Sequence, residues 1–330
     1  MKGTTAVAIT GIGSHLARGI LPMLMSDQRI TRIVGIDMNK PPDLPGGKVE
    51  FKQIDIRDKK GLNDAFVGVD IVMHFAFIVN PGGLPEHEVL EICIDGSKNV
   101  FDAAADQNVK KIIYTSSVAA YGCPPAKPRE PLVETDELRG SKSRWYYARA
   151  KAAVEAYLHA FVPAHPSITT TVIRPHVIVG RRYFFELLDA FINPVVEKKP
   201  FVFIKPASYT HAMMQLTHEE DLFAFIMKVV KDEVPGIFNI ASDVIDFEEF
   251  NKEHGITMKF IPWWCVELLL GLAGIFSRRI RYVLQWYTAL RYPPSLNCDK
   301  IKATCFAFKF PSTRDILVDA IDGKKRGARP

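Results

Sequence analysis

What this sequence has little of already excludes several classes of protein. Its five cysteines are an odd number with no C-x-x-C pair, which argues against a disulfide framework or a zinc site and predicts reduced thiols in a cytoplasmic protein. Its most apolar segment, residues 263–276, contains a glutamate and is shorter than the roughly 20 apolar residues of a bilayer span. We therefore predict no metal and no transmembrane span. Because glycines interrupt the N-terminal apolar run, we also predict no secretory signal.

The sequence also has little excess of charge of either sign. The net charge is +5, from 42 Lys and Arg residues against 37 Asp and Glu residues. The local basic excess lies at Arg278, Arg279 and Arg281 and in the tail from Lys324 to Arg329. We interpret these groups as a solvated face and a frayed end, and we predict no nucleic-acid partner.

What the sequence does contain is a regular alternation of strand-like and helical patterns. Such alternation is typical of an α/β protein with a parallel, doubly wound sheet, here of about seven strands. We predict helix N-caps at Ser14, Asp58 and Thr217. The predicted strands are residues 4–10, 32–36, 49–54, 71–75, 110–115, 169–173 and 236–240.

A glycine-containing turn follows the first predicted strand and precedes an apolar helical pattern. It reads Thr10-Gly11-Ile12-Gly13-Ser14-His15-Leu16-Ala17. A strand, a tight turn of small residues and a helix N-terminus together can cradle a pyrophosphate. In the register G-x-G-x-x-G, Leu16 takes the third glycine position. In T-G-x-x-G-x-x-G, Ser14 and Ala17 replace glycines. We favour this register because it places Leu16 inward and the small Ala17 against the sheet, whereas the first puts a leucine where close packing is needed.

Asp37 ends the second predicted strand, where a carboxylate can accept the adenosine ribose hydroxyls of a dinucleotide. A carboxylate there repels a 2′-phosphate, so NAD is expected over NADP, although Lys40 leaves NADP open. The alternative is that Asp37 only caps the end of its strand.

The segment Tyr147-Ala148-Arg149-Ala150-Lys151 carries two groups suited to proton transfer. In a helix, residues four apart share a face, so the Lys151 ammonium can favour the ionised form of the Tyr147 phenol. A free phenol titrates near 10, so a useful acid or base needs its pKa lowered by roughly two or three units. The alternative is an ordinary amphipathic helix with a core tyrosine and a solvated lysine.

These residues resemble the extended short-chain dehydrogenase/reductases, also called the NAD-dependent epimerase/dehydratase family. The resemblance runs from about Thr5 to Arg314 and implies a Rossmann fold. Beside the glycine turn and the Tyr-Lys pair, it rests on ordered short matches along the chain. These are Asp55-Ile56-Arg57-Asp58, His74-Phe75-Ala76, Asp95-Gly96-Ser97-Lys98-Asn99, Ser116-Ser117-Val118-Ala119-Ala120-Tyr121-Gly122, Arg174-Pro175 and His218-Glu219-Glu220-Asp221.

The resemblance implies roles for individual residues. Ser117 would hold the substrate oxygen, Tyr147 would exchange its proton, and Lys151 would bind the nicotinamide ribose and tune Tyr147. Asp37 would bind the adenosine ribose, with Asp55 and Ile56 at the adenine. The full expected cofactor set is Gly11, Ile12, Gly13, Ser14, His15, Leu16, Asp37, Asp55, Ile56, Phe75, Ala76, Phe77, Thr115, Ser116, Tyr147, Lys151, Pro175 and Val177, and the expected substrate set is Ile78, Ser117, Val118 and His176.

Two departures from the family pattern bear on function. Cys93 stands where many relatives carry an asparagine, so a proton relay through that asparagine would be altered here. Val177 stands where nucleotide-sugar enzymes usually carry an asparagine that touches the substrate. Since valine cannot donate that hydrogen bond, the epimerase and dehydratase hypotheses are weakened but stay open.

The implied domains interleave in sequence. Residues 1–175 and 212–242 would form the NAD-binding domain. Residues 176–211 and 243–330 would form a smaller, mainly helical substrate-binding domain. Within it, the apolar segment 263–276 is interpreted as a packed helix, with a wall of the substrate pocket or a helix on a membrane surface as alternatives. Together with Phe203, Trp286, Tyr287 and Tyr292, it favours an apolar or aromatic substrate.

Other elements carry weaker hypotheses. The loop from Ile78 to Glu86, with Pro81-Gly82-Gly83, could close over a ligand or be a plain connection. His176 and His211 are candidate substrate contacts, although a lone histidine is usually structural. His218 and Asp221 are expected to organise a helix start.

The leading functional hypothesis is an NAD-dependent oxidoreductase that moves hydride between a secondary alcohol or ketone and the nicotinamide. The alternatives are a nucleotide-sugar epimerase or dehydratase and a non-catalytic NAD-binding sensor. Because relatives commonly dimerise through two helices per subunit, a homodimer is expected through residues 86–107 and 147–162.

Overall fold

The computed structural model describes most of the chain. The described residues are 4–122, 130–181, 201–203, 213–255, 258–260, 262–277, 280, 284–285 and 294–325. Several residues named in the sequence analysis lie outside them, namely His211, Arg278, Arg279, Arg281, Trp286, Tyr287, Tyr292, residues 326–329 and the side chain of Phe203.

A seven-stranded sheet forms the centre of the fold and confirms the predicted α/β class. Its order is β11-β6-β5-β4-β1-β2-β3, and the successive pairs from β3 to β6 are parallel. Its strands are β1 Thr5–Thr10, β2 Ile30–Asp37, β3 Val49–Gln53, β4 Ile71–His74, β5 Lys111–Thr115, β6 Thr169–Pro175 and β11 Gly236–Ile240. These bounds lie within two residues of the predicted ones.

Three two-stranded sheets complete the described strands. They pair β7 Ile178–Val179 with β10 Thr217–His218, β9 Met213–Met214 with β12 Ile245–Asp246, and β8 Phe201–Phe203 with β13 Met258–Phe260.

The described helices cover the rest of the regular structure. None of them combines the length and the apolar character needed to cross a bilayer. They are α1 His15–Ser26, α2 Lys59–Ala65, α3 Glu86–Leu90, α4 Gly96–Asp106, α5 Tyr146–Ala164, α6 Glu219–Lys231, α7 Phe247–Glu253, α8 Trp263–Phe276, α9 Asp299–Ala303 and α10 Thr313–Lys325, with 3₁₀ turns at Val118–Tyr121 and Arg139–Lys142.

The chain divides into two compact units. Unit 1 comprises Met1–Ala120, Tyr146–Arg174 and Phe223–Phe238, and unit 2 comprises Tyr121–Trp145, Pro175–Leu222 and Asn239–Pro330. The core of unit 1 is built from apolar residues of the sheet and its helices, such as Ala8, Val72 and Phe101. The core of unit 2 includes Val179, Phe250 and Ile316. What each unit binds stays a prediction.

The strand order reverses direction between β1 and β4. From β1 the chain proceeds outward to β2 and β3, and it then returns to β4 on the other side of β1. Such a reversal opens a crevice at the carboxyl ends of the two central strands, where open α/β sheets bind ligands. Thr10 and His74 are paired at this edge.

A π-helical turn interrupts the helix that the sequence predicts over residues 86–107. Glu91–Asp95 is π-helical and separates α3 from α4. The Ser97 hydroxyl donates to the Cys93 carbonyl at 2.5 Å. Such turns occur mostly as single insertions inside α-helices, frequently at functional sites.

His74 links this turn to the end of β1 through a buried polar chain. Its Nδ1 lies 2.7 Å from the Thr10 hydroxyl and its Nε2 lies 2.8 Å from the Ser97 hydroxyl. Because Ser97 donates to Cys93, we assign the imidazole proton to Nε2, with Thr10 donating to Nδ1. Burial lowers the pKa of His74 to about 3, and the Lys151 charge acts in the same direction.

The predicted caps at Ser14 and Asp58 are confirmed, but the one at Thr217 is wrong. The side chains of Ser14 and Asp58 accept the N–H groups of Ala17 and Gly61. Thr217 instead lies in β10, and its hydroxyl donates to the Ile240 carbonyl at 2.5 Å.

His218 and Asp221 both lie at the start of α6, as expected. The Nδ1 atom of His218 accepts the Glu220 N–H at 3.2 Å and caps α6. Asp221 lies in the first turn of α6, and its carboxylate accepts the N–H groups of Lys309 and Phe310, so it ties the helix start to the segment before α10.

We expect the neutral, buried His74 to make the fold sensitive to acid. Its pKa rises from about 3 in the folded chain to about 6.5 in the unfolded chain, so its stabilising contribution is complete above pH 6.5 and is lost as the pH falls toward 3. From pH 7 to pH 4, urea titrations should show that the wild type loses up to about 3 kcal/mol more unfolding free energy than His74→Gln. His159→Gln, a matched change at an exposed position, should keep the wild-type pH dependence. Equal pH dependence in the wild type and His74→Gln would contradict the assignment.

Candidate functional site

The turn after β1 has the close backbone approach that a dinucleotide cradle requires. Gly11 adopts a φ of 71°, and a Cβ at this position would lie 2.6 Å from the Ala76 nitrogen. Any side chain is therefore excluded here by both conformation and space. Gly11 and Ala76 come from the ends of β1 and β4, the two strands that flank the reversal of strand order.

The start of α1 fits the register with Ser14 and Ala17 in glycine positions. Ser14 is the N-cap, and Ala17 is fully buried, as expected for a small residue against the sheet. Leu16 is only half-buried. His15 and Leu16 open the first turn of the helix, and the positive end of its dipole faces the glycine turn.

Ile12 can offer a cofactor little besides its backbone carbonyl. Its side chain is fully buried and packs over Gly35, where a Cβ would lie 2.8 Å from Ile12 Cγ1. Its N–H donates to the Ile36 carbonyl at 3.2 Å. The expected contact through Ile12 is thus restricted by the packing of the turn.

Asp37 reaches back to the glycine turn. One carboxylate oxygen accepts the Gly13 N–H at 2.9 Å, and the other accepts the Met38 N–H at 2.8 Å. The carboxylate is half-buried at the carboxyl end of β2. It therefore does more than end its strand, because it fixes the turn that would approach the pyrophosphate.

The segment expected to lie beside the adenine is held by residues of α4. Ile56 lies within 2.5 Å of where a Cβ on Gly96 would be, so only glycine permits this contact. The Asn99 amide donates to the carbonyl of Arg57 at 2.9 Å. Asp55 makes a paired hydrogen bond with the Arg57 guanidinium, which lowers the pKa of the Asp55 carboxyl.

Helix α5 presents a row of three ionisable side chains. Tyr147, Lys151 and Glu155 follow one another at intervals of four residues, so they project from one face. Tyr147 is half-buried, whereas Lys151 and Glu155 are buried. The structure thus brings Tyr147 and Lys151 together as predicted, with the Lys151 Nζ atom 5.7 Å from the centre of the Tyr147 ring.

Lys151 lies between the end of β5 and the ring of Phe77. Its Nζ donates to the Thr115 carbonyl at 2.8 Å and lies 3.6 Å from the Phe77 ring centre. Burial lowers the pKa of Lys151 to about 7, while Cys93 and Glu155 act to raise it. The proton of Lys151 is therefore lost close to neutral pH, which the sequence did not predict.

The serines after β5 have different environments. Ser116 is buried and donates to Glu155 at 2.5 Å, so its side chain is not available to a cofactor. Ser117 is half-buried, and its Oγ accepts the Ala119 N–H at 3.1 Å. Among the described residues this bond uses Ser117 as an acceptor, which leaves its hydroxyl hydrogen for a substrate oxygen.

Glu155 and Arg174 form an ion pair with both side chains almost wholly buried. Their side chains are each 2% exposed, and Arg174 Nε and Nη2 lie 2.6–3.0 Å from the carboxylate oxygens. Removing one partner of such a pair leaves an uncompensated buried charge and costs about 3–5 kcal/mol. The pair fixes the face of α5 that carries Lys151.

Cys93 and Tyr114 are two further groups close to Lys151. The Cys93 sulfur accepts the Ile78 N–H at 3.4 Å, and burial raises the pKa of this thiol to about 11. The Tyr114 ring centre is 4.8 Å from Lys151 Nζ. Its hydroxyl is buried, and the buried Thr115 hydroxyl has no hydrogen-bond partner in the described part of the chain.

The segment after β4 is anchored to α5. Phe77 meets the Tyr147 ring edge to face with centres 5.5 Å apart, and the Tyr146 hydroxyl donates to the Val79 carbonyl at 2.6 Å. An ion pair between Arg149 and Glu86 ties the far end of the 78–86 loop. Phe75 is buried, Ile78 is half-buried, and Val118 begins the 3₁₀ turn after Ser117.

Three expected site residues belong to unit 2. Pro175 is buried at the end of β6, and Val177 packs against the unit 2 core. The His176 Nδ1 atom accepts the Val177 N–H at 2.8 Å, and its Nε2 lies 3.2 Å from the Pro294 carbonyl. Both ring nitrogens thus have backbone partners, and burial lowers the pKa of His176 to about 4.

The residues of unit 1 fit a bound dinucleotide. Gly11 forms a cradle that a Cβ would fill, the N-terminus of α1 supplies a positive dipole, and the buried Thr115 hydroxyl lacks a partner in the part of the chain that the structure describes. Asp37 lies where a carboxylate that binds the adenosine ribose is expected. Among the described residues, no group of three or more His, Cys, Asp or Glu residues could hold a metal ion.

Sequence reasoning missed two residues that the site depends on. Glu155 extends the row of Tyr147 and Lys151, and a search for buried charges at that spacing would have found it. Gly19 is the other, because a Cβ there would lie 2.0 Å from the Phe223 ring, where α1 meets α6.

Comparison with known proteins agrees with this geometry. A profile of the NAD dependent epimerase/dehydratase family matches residues 7–241. The chain is 28% identical over 182 residues to the 3 beta-hydroxysteroid dehydrogenase/Delta 5→4-isomerase of vaccinia virus strain Ankara, with 52% of each sequence covered. The chain therefore spans about half the length of this relative.

Two further similarities cover more of the chain. Cinnamoyl-CoA reductase 1 of Petunia hybrida is 27% identical over 271 residues, which covers 78% of this chain and 77% of that protein. The UDP-glucose 4-epimerase of Thermus thermophilus, in complex with NAD, has the same fold, with a TM-score of 0.70 at 19% identity, covering 97% of this chain and 99% of that chain. Since the family profile matches well over half of the sequence, the chain belongs to the NAD dependent epimerase/dehydratase family.

Proposed function

We propose that this protein is an NAD-dependent oxidoreductase that interconverts a secondary alcohol and a ketone. The observation that carries the proposal is the row on α5, which places half-buried Tyr147 one turn from buried Lys151 beside the end of β5. The same compact unit contains the glycine turn and Asp37. One unit thus combines a dinucleotide cradle with a group that can transfer a proton.

In alcohol oxidation, each residue has a separate task. Tyr147 Oη accepts the hydroxyl proton of the substrate, and the Ser117 hydroxyl donates a hydrogen bond to the substrate oxygen. The Lys151 ammonium stabilises the charge on the phenolate. Bound NAD supplies the acceptor for the hydride that leaves the carbinol carbon. Ketone reduction reverses these transfers, with Tyr147 returning the proton.

Two features support an apolar or aromatic substrate. Phe77 meets the Tyr147 ring edge to face and lies over Lys151, so the immediate surroundings of the proton donor are aromatic. The names of two relatives, a hydroxysteroid dehydrogenase and a cinnamoyl-CoA reductase, refer to a steroid and to a cinnamoyl group, which are apolar and aromatic respectively. Contacts of Ile78, Val118 and His176 with that substrate stay predictions, as does a homodimer through residues 86–107 and 147–162.

The second candidate is an epimerase or dehydratase, which the family assignment itself keeps open. Such an enzyme returns the hydride within one catalytic cycle and retains its cofactor. Val177 counts against a nucleotide-sugar substrate, because its side chain packs on the unit 2 core and cannot donate a hydrogen bond. Cofactor that stays bound through extensive dialysis would favour this candidate, and free exchange would favour the oxidoreductase. An NAD-binding sensor without catalysis would show no turnover with either substrate class.

Tyr147→Phe should abolish turnover and leave cofactor binding within about twofold, because only the proton-transferring hydroxyl is removed. Loss of a positioned acid or base lowers the rate by roughly 10²–10⁴-fold. The measurement is the steady-state rate with cyclic and aromatic ketones, together with calorimetric titration of the cofactor. Tyr157→Phe, the same change on the same helix at a hydroxyl that donates to Asp102, should keep its activity. Near-normal turnover in Tyr147→Phe would refute the mechanism.

Ketone reduction should slow as the pH rises through about 7. The sign follows from the lowered pKa of Lys151, since its ammonium loses its proton above this pH and no longer stabilises the phenolate. The measurement is kcat/KM between pH 6 and pH 9. In Lys151→Arg the guanidinium stays charged, so the decline should move to higher pH. A profile that is flat over this range in the wild type would contradict the role of Lys151.

Asp37→Asn should lower the affinity for NAD by about tenfold, because the ribose hydroxyls lose a charged hydrogen-bond acceptor. It should also narrow the preference for NAD over NADP, because it removes the charge that repels a 2′-phosphate. Asparagine keeps an acceptor for the Gly13 N–H, so the turn should survive. The measurement is calorimetric titration with both cofactors. Asp64→Asn, an equal change of net charge at an exposed site on α2, should leave both affinities unchanged. Preferential NADP binding by the wild type would overturn the proposed specificity.

A further inference from the structure

Helix α8, Trp263–Phe276, is apolar around its whole circumference. Its sequence is WWCVELLLGLAGIF, in which Glu267 is the only charged residue. A helix that is hydrophobic on all sides is normally covered on all sides, by a protein core or by lipid. The proposed function assigns no task to this helix.

One face of α8 is not covered by the described part of the chain. Trp264, Leu268, Leu272 and Ile275 are between 54% and 66% exposed, and Leu269 beside them is 64% exposed. The first four recur at helical spacing and form one stripe along the helix. Val266 and Gly274, on the opposite side, are buried. One side of the helix thus carries buried residues, and the other presents large exposed side chains.

The exposed side chains of this stripe form one contiguous apolar patch and are not isolated surface residues. Single exposed apolar residues are normal, whereas contiguous apolar patches beyond a few hundred Å² are rare on monomers and mark interaction sites. Trp264 lies at the start of the stripe and is the most exposed of its members. Tryptophan is enriched where an apolar phase meets water.

The sequence around the stripe has charge of one sign. From Leu268 to Cys298 the chain has no acidic residue, but it has Arg278, Arg279, Arg281 and Arg291. The arginines lie outside the described residues, so only their number and order along the chain are used. Three of them follow within five residues of the end of α8, and basic groups next to an exposed apolar helix complement an anionic lipid surface.

The dimensions of α8 exclude a span and fit a helix that lies along a surface. At 1.5 Å per residue, its 14 residues extend about 21 Å, against about 30 Å for the hydrocarbon core. Interfacial helices usually carry their own polar face. Here the face opposite the stripe is packed on the protein, so the folded domain takes the place of that polar face.

We propose that the outer face of α8 docks on an anionic lipid surface, with Trp264, Leu268, Leu272 and Ile275 inserted among the acyl chains. This would hold the protein against a membrane without crossing it. The proposal rests on exposure, helical spacing and charge, and it does not depend on the proposed catalytic activity.

The test is flotation of the full chain with two kinds of vesicle. One contains phosphatidylcholine alone, and the other contains phosphatidylcholine and phosphatidylglycerol in equal parts. We expect binding to the anionic vesicles that is at least tenfold stronger than to the neutral ones and that weakens with salt, since a basic residue near an anionic surface contributes roughly fivefold. Absence of binding, or equal and salt-independent binding to both, would overturn the proposal.

Variants locate the contact. Leu268→Gln combined with Leu272→Gln should reduce vesicle binding at least tenfold, because two inserted side chains become polar. Ile275→Gln, a milder single change, should reduce it severalfold and covers the case in which the double variant is unstable. The matched control is Val67→Gln with Val318→Gln, two apolar residues exposed elsewhere, and it should bind as the wild type does.

Light scattering in the absence of vesicles separates lipid from a second copy of the chain. If the stripe buries itself against another protomer, the double variant will have a smaller mass than the wild type, and vesicle binding will be absent. That result would overturn the proposal. Equal masses together with lost vesicle binding would support it.

Discussion

The buried pair of Glu155 and Arg174 is the interaction on which the candidate site depends. It joins α5 to β6, and Ser116 ties the same carboxylate to the end of β5. Lys151 lies one turn before Glu155 on α5, so the position of its ammonium follows from the pair. Two charges are stable in this interior because the Nε and Nη2 groups of Arg174 donate to both carboxylate oxygens of Glu155, whereas a single isolated charge would have no such partner.

A second buried chain connects the opposite side of the site. It runs from Thr10 through His74 and Ser97 to the carbonyl of Cys93 in the π-helical turn. Cys93 in turn receives the Ile78 N–H, so the end of β1, the end of β4 and the loop after it share one network. The Cys93 thiol thus holds the backbone of this loop by a weak sulfur hydrogen bond, and burial raises the pKa of the thiol.

The proposed proton transfer and the proposed membrane docking place different demands on the chain. Lys151 has a pKa near 7 because it is buried, and the structure keeps it buried by covering it with Phe77 and Tyr114. The stripe on α8 is exposed because nothing in unit 2 covers it within the described residues. Burial therefore tunes the first site, whereas exposure of apolar side chains defines the proposed second one.

The sequence by itself determined the α/β class, the seven strands, the caps at Ser14 and Asp58 and the pairing of Tyr147 with Lys151. All of these follow from local spacing, since periods of two and 3.6 residues fix which side chains share a face. Only the tertiary structure decided that Glu155 pairs with Arg174 and that the π-helical turn divides the predicted helix 86–107. It also decided that Thr217 bonds to β11 and does not cap α6. The backbone partners of both His176 nitrogens likewise depend on the tertiary structure. These contacts join residues distant in sequence or depend on the surrounding packing, and a burial-shifted pKa such as that of Lys151 exists only once the surrounding chain has excluded water.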